Sequence, residues 1–464
     1  MTPLDDIPAE PAPPKGPAPG GVIKGGFGEV WSLAYPVVIT MASMSIMGLV
    51  DTFFMGFIGT PQQGATGLGA VLSWTLMSFF NGTITASNTF VAQHFGAKKY
   101  AVCGNIVWQS FFIALLATAV ILTAIVPNID VIISAIGASD EVTGFACEYM
   151  NVRLLGAVFV FANFCVVSFL RGIGDTRTPM KVTLVVNVLN VAFTYLFVFG
   201  KLGLPALGVG GAALGTIISQ FVAMAIYLYL FFKKSTHLKF STRRFRFPKW
   251  SLLKRFLKVG LPMGVWWVLE MGGFTVFTMF VSTLGDIPLA GHQIVRQMVH
   301  LSFLPGVALG VSATTLMGQY IGAGDIASAE RSAKTAIKIG LIIMCSMGSL
   351  FVVLRYQVAE LFNRDPRVIA LAADLFLFAA VFQTMDALGT VSSGAIRGAG
   401  DTRWPMVVSL LMAWLFFVPS IIILGKVLGY GIYGAWTGAT IYICILGLLM
   451  FYRFKSGKWK SMKI

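Results

Sequence analysis

Charge is what this sequence has least of. Only 11% of its 464 residues are charged, against about a quarter in a soluble domain. That scarcity excludes a large soluble protein carrying one anchor. The four histidines are scattered, with no HExxH pair, and neither a GxxxxGK[ST] loop nor a GxSxG turn occurs, so no ATP-hydrolysing engine, catalytic domain or cofactor is expected. The five cysteines (Cys103, Cys147, Cys165, Cys345, Cys444) lack CxxC spacing and read as small packing residues rather than a disulfide frame or zinc site. The opening MTPLDDIPAEPAPPKGPAPGG has no basic region followed by an apolar core, so no signal peptide is expected. Its Pro, Ala and Gly predict a disordered tail over 1–29.

What is present is hydrophobic, at 56% of residues and a mean hydropathy of +0.81. Apolar runs recur from about residue 30 to residue 452, each long enough to cross ~30 Å of hydrocarbon as a helix. They do not alternate as barrel strands would, and helices satisfy their own backbone in lipid. Twelve spans are expected, at 30–56, 64–95, 103–126, 143–170, 179–199, 208–232, 251–284, 286–320, 328–354, 367–395, 405–425 and 431–452.

The net charge of +15 is unevenly placed. The tails and even-numbered loops hold 27 Lys and Arg; the odd loops hold five, Lys201, Arg355, Arg364, Arg367 and Lys426. By the positive-inside rule both termini are expected in the cytoplasm, which agrees with an even number of spans. The densest loop, with its linker at 233–250, interleaves Phe240, Phe245, Phe247 and Trp250 with basic residues. It reads as an amphipathic segment resting on anionic lipid headgroups, not a nucleic-acid patch.

The stretch RGIGDTRTPM at 171–180 returns as RGAGDTRWPM at 397–406, identical at eight of ten positions and 226 residues away. The same shift lays Pro36 on Pro262, Gly59 on Gly285, and Gln93, Gly96 and Ala97 on Gln319, Gly322 and Ala323. A shift of 223 lays Gly208, Gly211, Ala212 and Gly215 on Gly431, Gly434, Ala435 and Gly438. The chain therefore reads as a polytopic all-α membrane protein of two six-helix lobes, 30–232 and 251–452, followed by a basic tail at 453–464. Because each lobe has an even number of helices, the repeat is parallel, and a cleft between the lobes suits alternating access. In the stretch itself, Arg171 and Arg177 can snorkel. Thr178 before Pro179 reads as a helix cap. In the second copy Trp404 replaces Thr178, so Asp401 or Thr402 is expected to cap.

Three acids lie deep in apolar spans: Asp51, Glu270 and Asp386. Under the repeat they face Phe277, Met44 and Val160, so none has an acidic counterpart. A charge at mid-bilayer costs ~2.5–3.5 kcal/mol or more and normally marks function. Burial favours the neutral carboxyl, which can release its proton when another cation arrives. If Glu270 and Asp386 face each other, they make a site for Na⁺ or a shared proton. Trp266 and Trp267 precede Glu270 by three to four residues, which places them on its face; aromatics beside an acid attract hydrophobic cations. Arg153 and Arg296 can pair with an acid or snorkel.

In these residues the chain resembles the multidrug and toxic compound extrusion family, whose two lobes each carry an RGxGDTR-P stretch between their fourth and fifth helices. Leu289-Ala290-Gly291-His292-Gln293 is similar to the family's A-x-H-Q segment. The resemblance covers about residues 30–452. It implies a NorM-like arrangement in which Asp51, Glu270 and Asp386 serve cation coupling and substrate binding, with Glu270 and Asp386 as Na⁺ ligands if sodium is the coupling ion. Asp365 resembles a further acid of this kind and equally fits a helix cap. Some members place a second acid on helix five, four residues after an Asn; here Asn190 is followed by Thr194. That departs from a complete first-lobe proton site and leaves Asn187, Asn190 and Thr194 as neutral auxiliaries to Asp51. The implied function is a secondary antiporter in the plasma membrane, working as a monomer and expelling organic cations in exchange for Na⁺ or H⁺. A flippase for lipid-linked precursors shares the design, but its pyrophosphate needs a cationic cavity, and the deep charges here are mainly acids.

Overall fold

The computed structural model describes residues 23–134 and 139–462. Most of the tail expected at 1–29 lies outside these residues. Its last part is ordered, because the first helix begins at Phe27.

Twelve membrane-length helices follow the expected order. The first lobe holds α1 (Phe27–Gly56), α2 (Thr60–Gly96), α3 (Tyr100–Ser134), α4 in two arms (Asp140–Leu155 and Ala157–Gly172), α5 (Arg177–Phe199) and α6 (Gly208–Phe232). The second holds α7 (Trp250–Ser282), α8 (Asp286–Gly322), α9 (Ile326–Val353), α10 (Pro366–Gly398), α11 (Arg403–Val427) and α12 (Gly431–Lys455). Short helices Lys234–Phe240 and Arg355–Phe362 lie between spans. Ten of the long helices are apolar enough to cross a membrane individually, and the arms of α4, bent by 49°, make another together. The exception is α2, whose second half carries Asn81, Thr83, Thr85, Ser87, Asn88, Thr89 and Gln93. These polar groups face protein rather than lipid, and most are buried.

The reason is the lobe interface. At the end of the bundle that gathers both tails and the duplicated stretch, here called the basic end, each lobe's first helix crosses over. Val30, Leu33 and Ala34 of α1 pack into the second lobe among residues of α8, α9 and α10. Phe256, Val259 and Met263 of α7 pack into the first. Pro36 and Pro262, helix-interior prolines that each remove a backbone hydrogen bond, lie at the ends of these crossing segments.

Two glutamines from corresponding positions then clasp the lobes. Gln93 Nε2 donates to the Gly398 carbonyl at 3.1 Å, and Gln319 Nε2 to the Gly172 carbonyl at 2.8 Å. Thr89 Oγ1 adds a bond to the Arg397 carbonyl at 3.2 Å. The duplicated stretch thus provides, twice, the carbonyls through which the lobes hold each other. Interlobe hydrogen bonds and ring contacts among the described residues run from this end to the Trp74–Trp267 pair and stop there.

Capping differs from expectation in the first copy. Asp175, not Thr178, caps α5, accepting from Thr178 N at 2.9 Å and Thr178 Oγ1 at 2.6 Å. An acid three residues ahead of an amide reaches it better than a residue inside the first turn. In the second copy Thr402 is the cap residue and Asp401 Oδ1 accepts from Trp404 N at 3.4 Å. Asp401 also pairs with Arg453 at 2.8 Å, with both side chains largely buried. The two copies should therefore respond differently. Asp175→Ala should cost about 1 kcal/mol, the loss of a cap, whereas Asp401→Ala strands a buried guanidinium and should cost ~3 kcal/mol or more. Thermal unfolding of the two purified variants measures the contrast, and equal midpoints would refute it.

The basic tail at 453–464 folds back as far as it is described. Trp459 is 1% exposed and stacks on Phe454, and Lys460 pairs with Glu330 at 2.6 Å. The linker packs on α3 through Phe245 against Trp108, and Trp108 Nε1 donates to the Thr242 carbonyl at 3.0 Å. It leaves Phe247 and Trp250 exposed.

Candidate functional site

Glu270 lies one turn beyond Trp266 and Trp267 on α7, past the last interlobe ring contact, which is where the expected cleft would have its floor. Trp267 packs on Trp74 of the other lobe, and Trp266 Nε1 donates to Ser409 Oγ at 3.0 Å. The backbone around Glu270 is thereby fixed from both sides.

Asp386, on α10, is the second carboxylate of this site. The charge of Glu270 acts on it, and both charges act on the buried Tyr442 of α12. Thr390 Oγ1, one turn along α10, donates to Asp386 Oδ1 at 3.4 Å. Both carboxylates are half-buried, and the positive charge acting on Glu270 is Arg397. No three His, Cys, Asp or Glu side chains gather as a metal site among the described residues. The donor set available to a hard cation is therefore two carboxylates with neutral oxygens beside them, which suits a weakly held alkali ion or a proton better than a tightly bound transition metal.

An aromatic pocket adjoins this floor, one turn farther from the basic end on two of its helices. Phe274 follows Glu270 by four residues, Phe382 precedes Asp386 by four, and Trp436 closes the side. His292 is locked within it, 3.2 Å from Thr278 Oγ1 and edge-on to Phe277. Arg296 is held by Gln293, to which its Nε and Nη2 donate at 3.0 and 2.8 Å, rather than by an acid.

Asp51 stands apart, in the first lobe. Arg153 is the positive charge acting on it, and Thr194 is the neutral side chain beside it. Its Oδ1, the Thr194 Oγ1, the Asn190 Oδ1 and Arg153 Nη1 are buried without hydrogen-bond partners. Asn190 Nδ2 donates to Thr216 Oγ1 at 3.3 Å, and Asn187 bonds Ser43. Of the three expected auxiliaries, the structure brings Thr194 to Asp51 and engages Asn187 with another partner.

Asp365 is the cap of α10, at the opposite end of that helix from Arg397. Its Oδ1 accepts from Arg367 N at 2.9 Å and its Oδ2 from Arg367 Nη2 at 2.9 Å. The Arg367 side chain and amide hold its carboxyl below the ordinary range. A depressed folded value stabilises above the unfolded pKa and is lost as pH falls through the folded one. The contribution of this pair is therefore complete above about pH 4 and fades as pH falls below it. Asp365→Ala should leave the ion dependence of transport unchanged and lower thermal stability slightly at neutral pH; a shifted half-saturating ion concentration would overturn this.

Sequence reasoning missed two residues of the site. Tyr442 carried no signal, being one aromatic in an apolar run. Arg397 was read only as one of the basic residues of an even-numbered loop, yet its guanidinium lies 4.4 Å from the centre of the Trp266 ring. Its lone acidic neighbour in the lobe, absent at the corresponding Met44 of the other, was the available clue.

A family model described as MatE matches residues 36–196 and again 262–423. The starts, 36 and 262, differ by 226, the offset of the repeat. A probable multidrug resistance protein NorM of Thermotoga maritima is 30% identical over 438 residues, 94% of each chain. Multidrug resistance protein MdtK of Yersinia enterocolitica is 31% identical over 436 residues, 91% of this chain and 94% of its own. Among solved structures, a MATE protein in its bent conformation superposes with a TM-score of 0.86 at 22% identity, covering 94% of this chain and 98% of the other. A MOP superfamily transporter from Pyrococcus furiosus, described as having a binding pocket of reverse polarity, gives 0.86 at 23% identity, with 94% and 96% covered. At these identities the last two demonstrate a common fold.

Proposed function

The chain belongs to the MatE family of multidrug and toxic compound extrusion transporters, and from that premise we propose that it expels lipophilic organic cations in exchange for Na⁺ or H⁺. It is a multi-pass membrane transporter and not an enzyme. The observation that carries the proposal is the pair Glu270 and Asp386, two carboxylates sharing one lobe at the floor of the cleft, with no acidic counterpart in the other lobe.

In this reading the pair holds either the inorganic cation or the cationic drug, and each excludes the other by charge. The aromatics Phe274, Phe382 and Trp436 receive the apolar body of the drug. Asp51, with Thr194 and Arg153, is a second cation-attracting group in the first lobe. The basic end faces the cytoplasm, placing both termini there, and the linker's Phe247 and Trp250 sit among anionic headgroups. One chain in the plasma membrane makes a complete pathway. Opening the cleft to one side and then the other carries the two ligands in opposite directions.

The test is efflux of a fluorescent lipophilic cation from liposomes containing the purified protein, with a Na⁺ gradient and a pH gradient imposed separately. Transport under either establishes exchange and names the ion. Folded protein that transports under neither would contradict the proposal and redirect it to an anionic, lipid-linked substrate.

A further inference from the structure

Residues 397 and 398 do two jobs at once. Their backbone carbonyls accept the interlobe bonds from Thr89 Oγ1 and Gln93 Nε2, at 3.2 and 3.1 Å. The Arg397 side chain points the other way, into its own lobe: Nε donates to the Ser393 carbonyl at 3.2 Å, the guanidinium covers the Trp266 ring, and its charge acts on Glu270. Trp266 is itself anchored on Ser409. The acid site and the clasp are thus attached to opposite faces of one short segment.

The other copy of the stretch lacks half of this. Gly172 accepts the bond from Gln319, but Arg171 has a buried, unpartnered Nε, and the positions matching Glu270 and Asp386 are Met44 and Val160. The clasp is symmetric; its connection to carboxylates is not.

We propose that Arg397 is a tethered internal cation that holds the vacant Glu270–Asp386 pair and the clasp together, so that the empty carrier does not reorient. The inference rests on the exchange reading above and adds the residue that enforces it. An exchanger must cycle when loaded with either cation and stay put when empty. With the carboxylates vacant and charged, attraction to Glu270 keeps Arg397 seated on Trp266 and its carbonyl in line with Thr89. A cation arriving at Glu270 offsets the charge that Arg397 feels, weakens that attraction, and releases the segment that Thr89 and Gln93 hold. Arg397 touches no transported ligand in this scheme and acts through Glu270, so it is a positioning residue.

The experiment places spin labels at Ala97 and Ala323, exposed residues at corresponding points beside the clasp, in full-length protein free of its other cysteines and held in lipid nanodiscs. Distances are measured without sodium at alkaline pH, with saturating sodium, at acid pH, and with tetraphenylphosphonium. The native protein should show one short distance when empty and gain a longer one with whichever cation it exchanges. Arg397→Gln should show the longer distance already when empty, raising the open-to-closed ratio at least about tenfold, the effect of one partly desolvated charge interaction. It should also leak dye without an opposing gradient, whereas Arg397→Lys should behave as native. If Arg397→Gln does not accumulate in the membrane, the Thr89→Val, Gln93→Ala pair cuts the link at its other end and should give the same long distance. A native response to cation that either variant reproduces unchanged overturns the role of Arg397 alone. A native protein that answers to no cation overturns the exchange reading with it.

Discussion

Glu270→Gln should reduce gradient-driven dye efflux to the level of protein-free vesicles, a loss of about 100-fold or more, while leaving the protein folded in the membrane. The substitution preserves size and removes only the charge. A charge–charge interaction in a partly desolvated site is worth several kcal/mol when one partner is removed, and ~2.7 kcal/mol already amounts to a 100-fold effect. Gln can neither take up a proton nor hold a cation against a competing one. Asp386→Asn should fall in the same direction, because Glu270 and Asp386 act on each other. The double variant should then be no worse than Glu270→Gln alone, since residues working as one unit are not additive. Efflux by Glu270→Gln within a factor of two or so of native would remove the carboxylate pair from the mechanism.

Gly322→Val should abolish transport by a different route, through packing. A Cβ on Gly322 would collide with the Gln93 carbonyl oxygen and stand 2.7 Å from its carbonyl carbon; a Cβ on Gly96 meets Gln319 in the same way. These are backbone atoms at helix ends, so nothing flexible can step aside. Overpacking of this kind costs about 1–3 kcal/mol, and here the lobes must part to relieve it. The variant should insert and fold as two lobes but fail to close the basic end, and its transport should fall more than tenfold. Gly67→Val on α2, where a side chain meets nothing within 4 Å, is the control and should transport normally. Normal transport by Gly322→Val would show that this close contact is not part of the cycle.

Much of the fold was legible because lipid imposes length and hydropathy on every span. All twelve spans were located, most ends to within a few residues, although α3 runs on to Ser134. The second span was expected at 64–95 with the others, although the last part of α2 is polar and serves the lobe interface. The bend of α4 at Gly156 was not anticipated, because a single glycine inside a span does not by itself mark a break. The deep acids were visible as exceptions, for a carboxylate in a greasy helix needs a reason. Their surroundings were not: sequence separation does not reveal which helix faces meet, so Tyr442 went unnoticed and Arg397 counted only as a loop charge. The first copy of the stretch misled through likeness, since Thr178 before Pro179 has the outline of a cap while Asp175 has the reach.

The most direct test of the central account is equilibrium binding. The affinity of the purified protein for a fluorescent lipophilic cation would be measured at stepped Na⁺ concentrations, and separately at stepped pH, with ionic strength held constant. If the drug and the coupling ion share the Glu270–Asp386 site, the apparent dissociation constant should rise in proportion to the concentration of the coupling ion, with no change in the number of dye molecules bound. A dissociation constant unmoved by both ions would contradict the shared site.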